Sequence, residues 1–545
     1  MAQKGNHIRK ALGIEEGVRI LPMIGYNMAN IFSSGSGYII GLYFTAYLTD
    51  VENLSLTQGG LVTMIATIWD AVTDPAMGII TDRTKSKLGR HRRYLLWGIA
   101  PLIIAYVCMW NSFGLSASGN TTATLVYYIL AYMLYKTAYT IIIVPHTAML
   151  PEMAPEYSLR TQYNSIGYLM NSAGMVPSFL LFASVFGFFQ MEEFTTASRS
   201  KFLIVALILG VFYAITAFIS FMSVREKSSL DMVNPPFDSG FILREYRDVF
   251  RNRAFRQYFL ISITYMIATG FYSNSNYYFI KYVAGMNSQY NVINMLAGIA
   301  EASAFPLNYM VTIKHGKTKS GKMMTPIMIL GLALGLFIQN ASGDSTFRIL
   351  FIILMYLRIV LYPFGFSGLG YSSTNIFPDV TDVDEIITGR RREGVISTFS
   401  TLIKKSVSGV MAAFVTFIMQ SFGLATGDTV ASYEKLNGTT YQQTDMAIIG
   451  VRICAVAVPI IMAIISVVAL KRFSMTRSDH NMIRAALATK KEYGSVTLSD
   501  EQIKTIEKIS GQRYEKTWLG QHNDDEHPLT LDDDGKYTIL TQATK

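Results

Sequence analysis

The sequence is poor in charge and almost without cysteine. Only 16% of its 545 residues are Asp, Glu, Lys or Arg, whereas about a quarter is usual in a soluble protein. Half of the residues are hydrophobic, and apolar windows of roughly 20 residues, long enough to cross a bilayer, recur along the chain. Cys108 and Cys454 both lie in such windows and provide neither a disulfide framework nor metal-ligand spacing. These shortages exclude a soluble globular protein and predict an all-α protein that crosses a membrane many times.

Twelve apolar segments are predicted to be transmembrane helices. They lie near residues 20–48, 57–81, 94–113, 122–149, 165–189, 201–223, 256–284, 289–313, 324–341, 346–372, 396–424 and 446–470. Connections rich in Lys and Arg alternate with connections poor in them. Because Lys and Arg mark the cytoplasmic side, both termini are predicted to lie in the cytoplasm. The net charge of +9 therefore reflects topology and not nucleic-acid binding, and we expect a multi-pass protein of the plasma or inner membrane whose surroundings are the lipid bilayer.

A short basic motif occurs twice. Thr84-Lys85-Ser86 follows the second span, and Thr318-Lys319-Ser320 follows the eighth. This repetition predicts two six-helix bundles related by pseudo-symmetry, the major-facilitator arrangement, with a substrate site between the halves. The predicted divisions are a cytoplasmic N-terminus at 1–19, bundles at 20–223 and 256–471, a cytoplasmic linker at 224–255, and a soluble cytoplasmic tail at 472–545.

The predicted tail contains one clear signal for a helix. Ser499 can act as the N-cap, Gln502 follows three residues later, and Gly511 lies just past the expected end. We expect the tail as a whole to be a solvated extension, with a small regulatory module as the alternative.

Two aspartates lie in the otherwise apolar second span. Asp70 and Asp74 are four residues apart, so their side chains are neighbours on one helical face. Each ionised carboxylate costs about 2.5–3.5 kcal/mol at the bilayer centre, and two like charges at this spacing repel each other. A proton or a sodium ion between them relieves both costs. Pro75 adds an oxygen to the site, because it leaves the carbonyl of Ala71 without its usual donor. We predict a monovalent-cation site here.

Further charges lie in other predicted spans: Lys136, Glu301, Arg358, Lys404 and Lys405. The alternative to a cation site is a buried ion pair between the aspartates and a lysine of another helix, for which Lys136 and Lys404 are available. Lys136 and Arg358 are interpreted as structural interhelical charges. Adjacent residues cannot share a helix face, so only one of Lys404 and Lys405 is expected to point into a cavity.

The seventh span is rich in tyrosine and asparagine. Tyr265, Thr269, Tyr272 and Asn276 are spaced four, three and four residues apart, on one helical face. Tyrosine rings and amides suit a polyhydroxylated ligand. Residues of these types also pack helices against each other in membranes, and the pattern leaves both interpretations open.

Three stretches resemble one transporter family, the glycoside–pentoside–hexuronide:cation symporters, the melibiose-permease-like branch of the major facilitators. "WDAVTDPAMGIITDRTKSKLGRHR" (69–92) is similar to the family's second-helix signature. "PEMAPEYSLRTQYN" (151–164) and "PDVTDVDEIITGRRREG" (378–394) resemble its loops after helices four and ten. The resemblance extends over about residues 20–470. It implies a transporter, not an enzyme, that carries a sugar or glycoside together with Na⁺ or H⁺ by alternating access, without an organic cofactor.

The resemblance also implies roles for individual positions. The coupling cation is expected at Asp70, Asp74 and Thr140, with Thr73 where the family often has asparagine. Residues expected near the substrate are Ser34, Tyr139, Ser400 and Lys404, and the polar face of the seventh span adds Tyr265, Tyr272 and Asn276. Residues expected to form a cytoplasmic gate are Arg83, Arg90, Arg160, Asp379, Asp382 and Arg390.

Three departures from the family pattern concern the substrate. The acids that grip sugar in melibiose permease fall at Ser34 and Ile143, and a helix-five arginine falls at Gly167. A small glycoside remains the expected substrate of a monomeric transporter. The alternatives are an amphipathic conjugate or lipid-like solute carried by the same fold, and a transporter-like sensor that signals through the tail.

Overall fold

The computed structural model describes residues 20–529, except for 155–156, 227, 231–248, 340–346, 391, 427–428, 431–432, 434–435, 437–440, 524 and 526. The predicted N-terminus at 1–19 and most of the predicted linker lie outside the described residues. The α-helices in chain order are α1 (Ile20–Ala46), α2 (Leu56–Asp82), α3 (Arg92–Trp97), α4 (Ile99–Met109), α5 (Thr121–Met153), α6 (Tyr157–Phe186), α7 (Arg199–Ser223), α8 (Arg253–Tyr278), α9 (Tyr290–His315), α10 (Lys317–Leu334), α11 (Arg348–Thr388), α12 (Glu393–Ser421), α13 (Asp445–Arg452), α14 (Val458–Arg472), α15 (Arg477–Tyr493) and α16 (Asp500–Ser510).

The described residues form helices and no extended strand, which confirms the all-α class. Six segments of the described chain are long and apolar enough to cross a membrane. They are Thr121–Leu150, Leu169–Phe186, Thr196–Ser223, Arg348–Thr388, Ile396–Ser421 and Asp445–Arg472. The count of twelve spans and the orientation of the termini stay predictions.

The chain forms two compact units. Unit 1 contains residues 1–235, 270–292 and 408–454, and unit 2 contains 236–269, 293–407 and 455–545. The predicted bundles at 20–223 and 256–471 follow chain order and stay a prediction. Aromatic side chains fill much of the interior of unit 1, where the rings of Tyr43 and Phe182, for example, stack 3.8 Å apart.

Helix α2 begins with a capping box. The Ser55 side chain accepts a hydrogen bond from the Gln58 backbone, and the Gln58 side chain accepts one from the Ser55 N–H. These bonds satisfy N–H groups that the first helical turn leaves without partners. The helix then runs without a break through Pro75, and it buries Asp70 to 1% exposure.

The tail differs from the expected solvated extension as far as residue 529. Helix α16 begins after Ser499, which forms a capping box with Gln502, and it ends at Gly511 in a left-handed conformation. This confirms the predicted helix. The expectation of an extension is wrong, because apolar residues of α15 and α16, including Ile483 and Ile506, share one core in unit 2 with Ile386 of α11.

Candidate functional site

The two aspartates of α2 meet one hydroxyl of α5. Thr140 Oγ lies 3.2 Å from Asp70 Oδ1 and 2.9 Å from Asp74 Oδ1. The four-residue spacing predicted that both carboxylates share a face, and the neighbouring helix places Thr140 between them. Two carboxylate oxygens and a hydroxyl oxygen therefore converge within the reach of one hard monovalent cation.

Thr73 uses its hydroxyl differently. Its Oγ donates to the backbone carbonyl of Asp70 at 3.3 Å, within the same helix. This bond points the hydroxyl back along the helix. Thr73 thus stabilises the backbone beneath the carboxylate in this structure, and its predicted role as a cation ligand stays a prediction.

Lys136 of α5 forms an ion pair with Asp70. Its Nζ lies 3.4 Å from Asp70 Oδ2, and the two side chains are 19% and 2% exposed. Lys136 and Thr140 are one helical turn apart, so they approach the two oxygens of the same carboxylate. The pairing with lysine that the sequence left open is present at Asp70, together with a contact to Thr140, the threonine of the predicted cation site.

Polar contacts also connect Lys136 with helix α1 through Tyr139. The Lys136 Nζ lies 5.7 Å from the centre of the Tyr139 ring, and the Tyr139 hydroxyl lies 2.6 Å from Ser33 Oγ. The predicted substrate contact Ser34 instead donates to the carbonyl of Asn30 in its own helix. Tyr139 therefore lies beside Lys136, and its predicted substrate contact stays a prediction. Its partner in α1 is Ser33, one position from the predicted Ser34.

The predicted ligand face of the seventh span is divided between the two units. Tyr265 lies in unit 2, where its ring stacks on Phe366 at 4.9 Å. Tyr272 and Asn276 lie in unit 1 and are 9% and 6% exposed. These contacts and this burial favour helix packing for the span, and the substrate role of the three residues stays a prediction.

Lys404 and Ser400 of α12 both meet Tyr258 of α8. Lys404 Nζ donates to the Tyr258 hydroxyl at 2.8 Å, and Ser400 Oγ lies 3.5 Å from the same hydroxyl. The sequence predicted the first two residues and missed Tyr258. An aromatic residue in the first turns of a predicted span carries no signal that separates a ligand contact from packing.

The predicted gate cations of unit 1 lie after α2, in the loop that leads into α3. Arg90 lies 3.7 Å from Asp82 at the end of α2. The carboxylate of Glu226, which follows α7, accepts backbone N–H groups of His91 and Arg92 and lies 3.0 Å from the His91 ring. Arg83 also lies in this loop. The side chain of the predicted gate residue Arg160 lies outside the described residues.

The surroundings of Glu226 lower its pKa. Burial alone would raise the pKa, but the hydrogen bond from the His91 side chain, the backbone N–H groups and the charge of His91 together outweigh burial. The sequence missed Glu226, although an acid in an otherwise basic loop was a signal that could have found it.

The predicted gate acids of unit 2 contact the tail. Asp382 lies 2.8 Å from the His480 ring, and Asp379 lies 3.4 Å from the same ring and 2.5 Å from Lys317 Nζ. Arg390, which the resemblance groups with these acids, is exposed. The described partners of the two acids are therefore a tail histidine and a lysine of α10, which the sequence did not connect with them.

A second buried ion pair in unit 1 was also missed. Asp50 lies in a π-helical turn at Tyr47–Val51, and Lys281 lies in another at Phe279–Val283. Lys281 Nζ is 2.7 Å from Asp50 Oδ2, and the Tyr277 hydroxyl is 3.2 Å from the same oxygen. The lysine inside "YYFIKYV" was the available signal, since a charge in an apolar run needs a partner.

Comparisons with known proteins agree on one family. Residues 22–477 match the family described as MFS/sugar transport protein. The isoprimeverose transporter of Lactiplantibacillus pentosus is 23% identical over 79% of this chain and 86% of its own. The sodium-dependent lysophosphatidylcholine symporter 1-A of Danio rerio is 19% identical over 73% and 77%. The structure of the nucleoside transporter NupG superposes with a TM-score of 0.54 at 13% identity, covering 84% of this chain and 98% of NupG.

The chain belongs to the MFS/sugar transport protein family, because the match extends over most of its length. This confirms the family that the three sequence stretches predicted, and the likeness to NupG agrees with the predicted major-facilitator fold. The protein is a multi-pass membrane transporter and not an enzyme.

Proposed function

We propose that the protein carries a sugar-type solute across the plasma or inner membrane together with Na⁺ or H⁺, by alternating access about a site between two bundles. The observation that carries the proposal is the convergence of Asp70 and Asp74 of α2 on Thr140 of α5, whose Oγ lies 3.2 Å from Asp70 Oδ1 and 2.9 Å from Asp74 Oδ1. Holding the buried Asp70 next to the half-buried Asp74 costs free energy that a bound cation offsets.

Coupling follows from this electrostatic cost. A cation between the carboxylates stabilises the arrangement of α2 and α5 in which both acids face Thr140. If the solute binds that same arrangement more tightly, each ligand raises the affinity for the other, and the coupling is reciprocal. A cation gradient then drives the solute against its own gradient.

The test is uptake by proteoliposomes under an imposed Na⁺ or H⁺ gradient. The solutes are isoprimeverose and a panel of alkyl and aryl glycosides. The variant Asp74→Asn keeps the shape of the side chain but removes its charge, and we expect it to abolish gradient-driven uptake while its elution profile in detergent is unchanged. Asp445→Asn, which removes an exposed acid at the start of α13, is the matched control. Gradient-driven accumulation by Asp74→Asn at the wild-type rate would refute the proposed cation site.

A lipid-like or otherwise amphipathic solute is the second candidate. It is favoured by the relative named as a lysophosphatidylcholine symporter and by Ile143, which stands where a sugar-binding acid is expected. Lysophosphatidylcholine uptake in the same proteoliposomes distinguishes the two cargoes, since a glycoside carrier would leave it at the level of empty vesicles.

A sensor is the third candidate, favoured by the folded tail. Counterflow of the bound solute separates it from a carrier, because a sensor binds solute but exchanges almost none across the membrane.

A further inference from the structure

The ammonium of Lys136 lies where a transported cation would have to compete for a ligand. Its Nζ contacts Asp70 Oδ2 at 3.4 Å, while Thr140 contacts Oδ1 of the same carboxylate. Asp70 is therefore shared between a fixed positive charge and the hydroxyl that links it to Asp74.

We propose that Lys136 is a tethered cation of the ion site, and that it sets the sodium affinity by competing with the transported ion for Asp70. This inference rests on the proposed function, and it adds a residue that determines ion affinity. Sodium binding then requires the ammonium to withdraw from the carboxylate, or to remain nearby and repel the incoming ion. Either route weakens sodium binding relative to a site without the lysine.

Two aromatic rings next to Lys136 offer its ammonium an alternative position away from Asp70. The rings of Tyr132 and Tyr139 each lie with their centres 5.7 Å from Nζ. An aromatic face within about 6 Å attracts an ammonium, and the lysine stem is flexible enough to move the charge from the carboxylate toward the rings. The lysine side chain is 19% exposed, so it is not enclosed on every side.

The contact geometry is that of an exchangeable pair. At Asp50 the lysine lies at 2.7 Å, and the Tyr277 and Thr49 hydroxyls also donate to the carboxylate. At Asp70 the ammonium is 0.7 Å farther away, which is the difference between the two Nζ–oxygen distances. A longer contact is easier to replace with a small ion of the same charge.

The test compares sodium binding by the full-length protein and its Lys136 variants. The readout is the NaCl concentration that gives half of the maximal rise in thermal melting temperature, at one pH, with choline chloride replacing NaCl to hold ionic strength constant. We expect Lys136→Met to lower this concentration at least about tenfold, since one positive charge next to the ion is removed. Lys136→Arg keeps the charge and is expected to stay near or above the wild-type concentration.

Lys201→Met is the matched control, because it removes a lysine whose ion pair with Glu192 lies at the protein surface. We expect it to leave the half-maximal NaCl concentration unchanged. If Lys136→Met does not yield folded protein, Lys136→Gln takes its place with the same expectation. An unchanged or raised concentration in the neutral variants, an equal decrease in Lys136→Arg, or no sodium response in either wild type or variant would overturn the proposal.

This experiment separates the inference from the proposed function. Ion-driven uptake with identical sodium curves for wild type and Lys136→Met would leave symport standing and refute the role of Lys136. A tenfold shift in sodium binding without any ion-driven uptake would refute symport and leave the role of Lys136 standing.

Discussion

The described part of unit 1 contains two pairs of a buried aspartate and a lysine, and the surroundings of the two aspartates differ. Asp50 and Lys281 lie in π-helical turns, where hydroxyls of Thr49 and Tyr277 add to a lysine contact of 2.7 Å. Asp70 lies in a regular α-helix, where the lysine contact is 3.4 Å and one hydroxyl is shared with a second acid.

These different contacts indicate which pair stabilises the fold and which pair can exchange its lysine for another cation. The Asp50 carboxylate accepts three side-chain contacts, one of them from its lysine. Removing that lysine destabilises the fold, because it leaves a buried charge without its counter-charge. A carboxylate beside a second acid carries repulsion that an additional cation relieves. We therefore expect the Asp50 pair to contribute to stability and the Asp70 pair to control ion binding.

The largest expected effect is a loss of stability when the ion pair between Asp50 and Lys281 is broken. Lys281→Met leaves Asp50 buried and uncompensated, and we expect a loss of about 3 kcal/mol, measured as a fall in the thermal midpoint of the purified protein. In the double variant Asp50→Asn, Lys281→Met the buried charge is gone, and part of the loss should be recovered. A midpoint equal to wild type in Lys281→Met would remove the contrast between the two pairs.

Lys404 differs from the two lysines above because its described partner is the hydroxyl of a tyrosine and not a carboxylate. Lys404 donates to Tyr258 at 2.8 Å, and we expect Lys404→Ala to reduce solute uptake at least about tenfold, as the loss of a charged hydrogen bond would. Lys405→Ala, its neighbour on another face of the helix, is the matched control and should reduce uptake far less. Equal losses would contradict the expectation that Lys404, and not Lys405, lies near the substrate.

Smaller effects are expected at Thr140, which contacts Asp70 and Asp74, and at Thr49, which contacts Asp50. Thr140→Val keeps the shape but removes the hydroxyl between the two acids, so we expect the half-maximal NaCl concentration to rise about three- to tenfold. Thr49→Val should instead lower the thermal midpoint and leave the sodium response unchanged. If Thr49→Val changed the sodium response and Thr140→Val changed only the thermal midpoint, the Asp50 pair would control ion binding and the Asp70 pair stability, contrary to our assignment.

The smallest expected effect concerns a third acid, Glu226, whose pKa is lowered mainly by the His91 side chain once the cost of burial is overcome. A lowered pKa means that the ionised carboxylate stabilises the folded state above the ordinary pKa of about 4.5, and that this contribution is lost as pH falls through the lower, folded-state value. Glu226→Gln should therefore cost about 1 kcal/mol at pH 7. The difference from wild type should shrink below pH 4.5 when thermal midpoints are compared, and a difference that grows in acid would contradict the assignment.

Much of the site could be predicted because it lies within short stretches of helix. Asp70 and Asp74 share a face through their four-residue spacing alone, and the start of α16 at Ser499 follows from local capping. The partners could not be predicted in the same way. His480 contacts Asp379 and Asp382 from a helix about 100 residues further along the chain, and no local pattern encodes that contact.

The sequence by itself determined the helical class, the family, the acids of α2 and the capped tail helix, because hydrophobic length, spacing and caps act over a few residues. Only the tertiary structure decided that Lys136 contacts Asp70, that Lys281 contacts Asp50, and that the tail packs into the core of unit 2. Ion pairs and packing depend on which distant helices become neighbours, and that choice is made by burial over the whole chain.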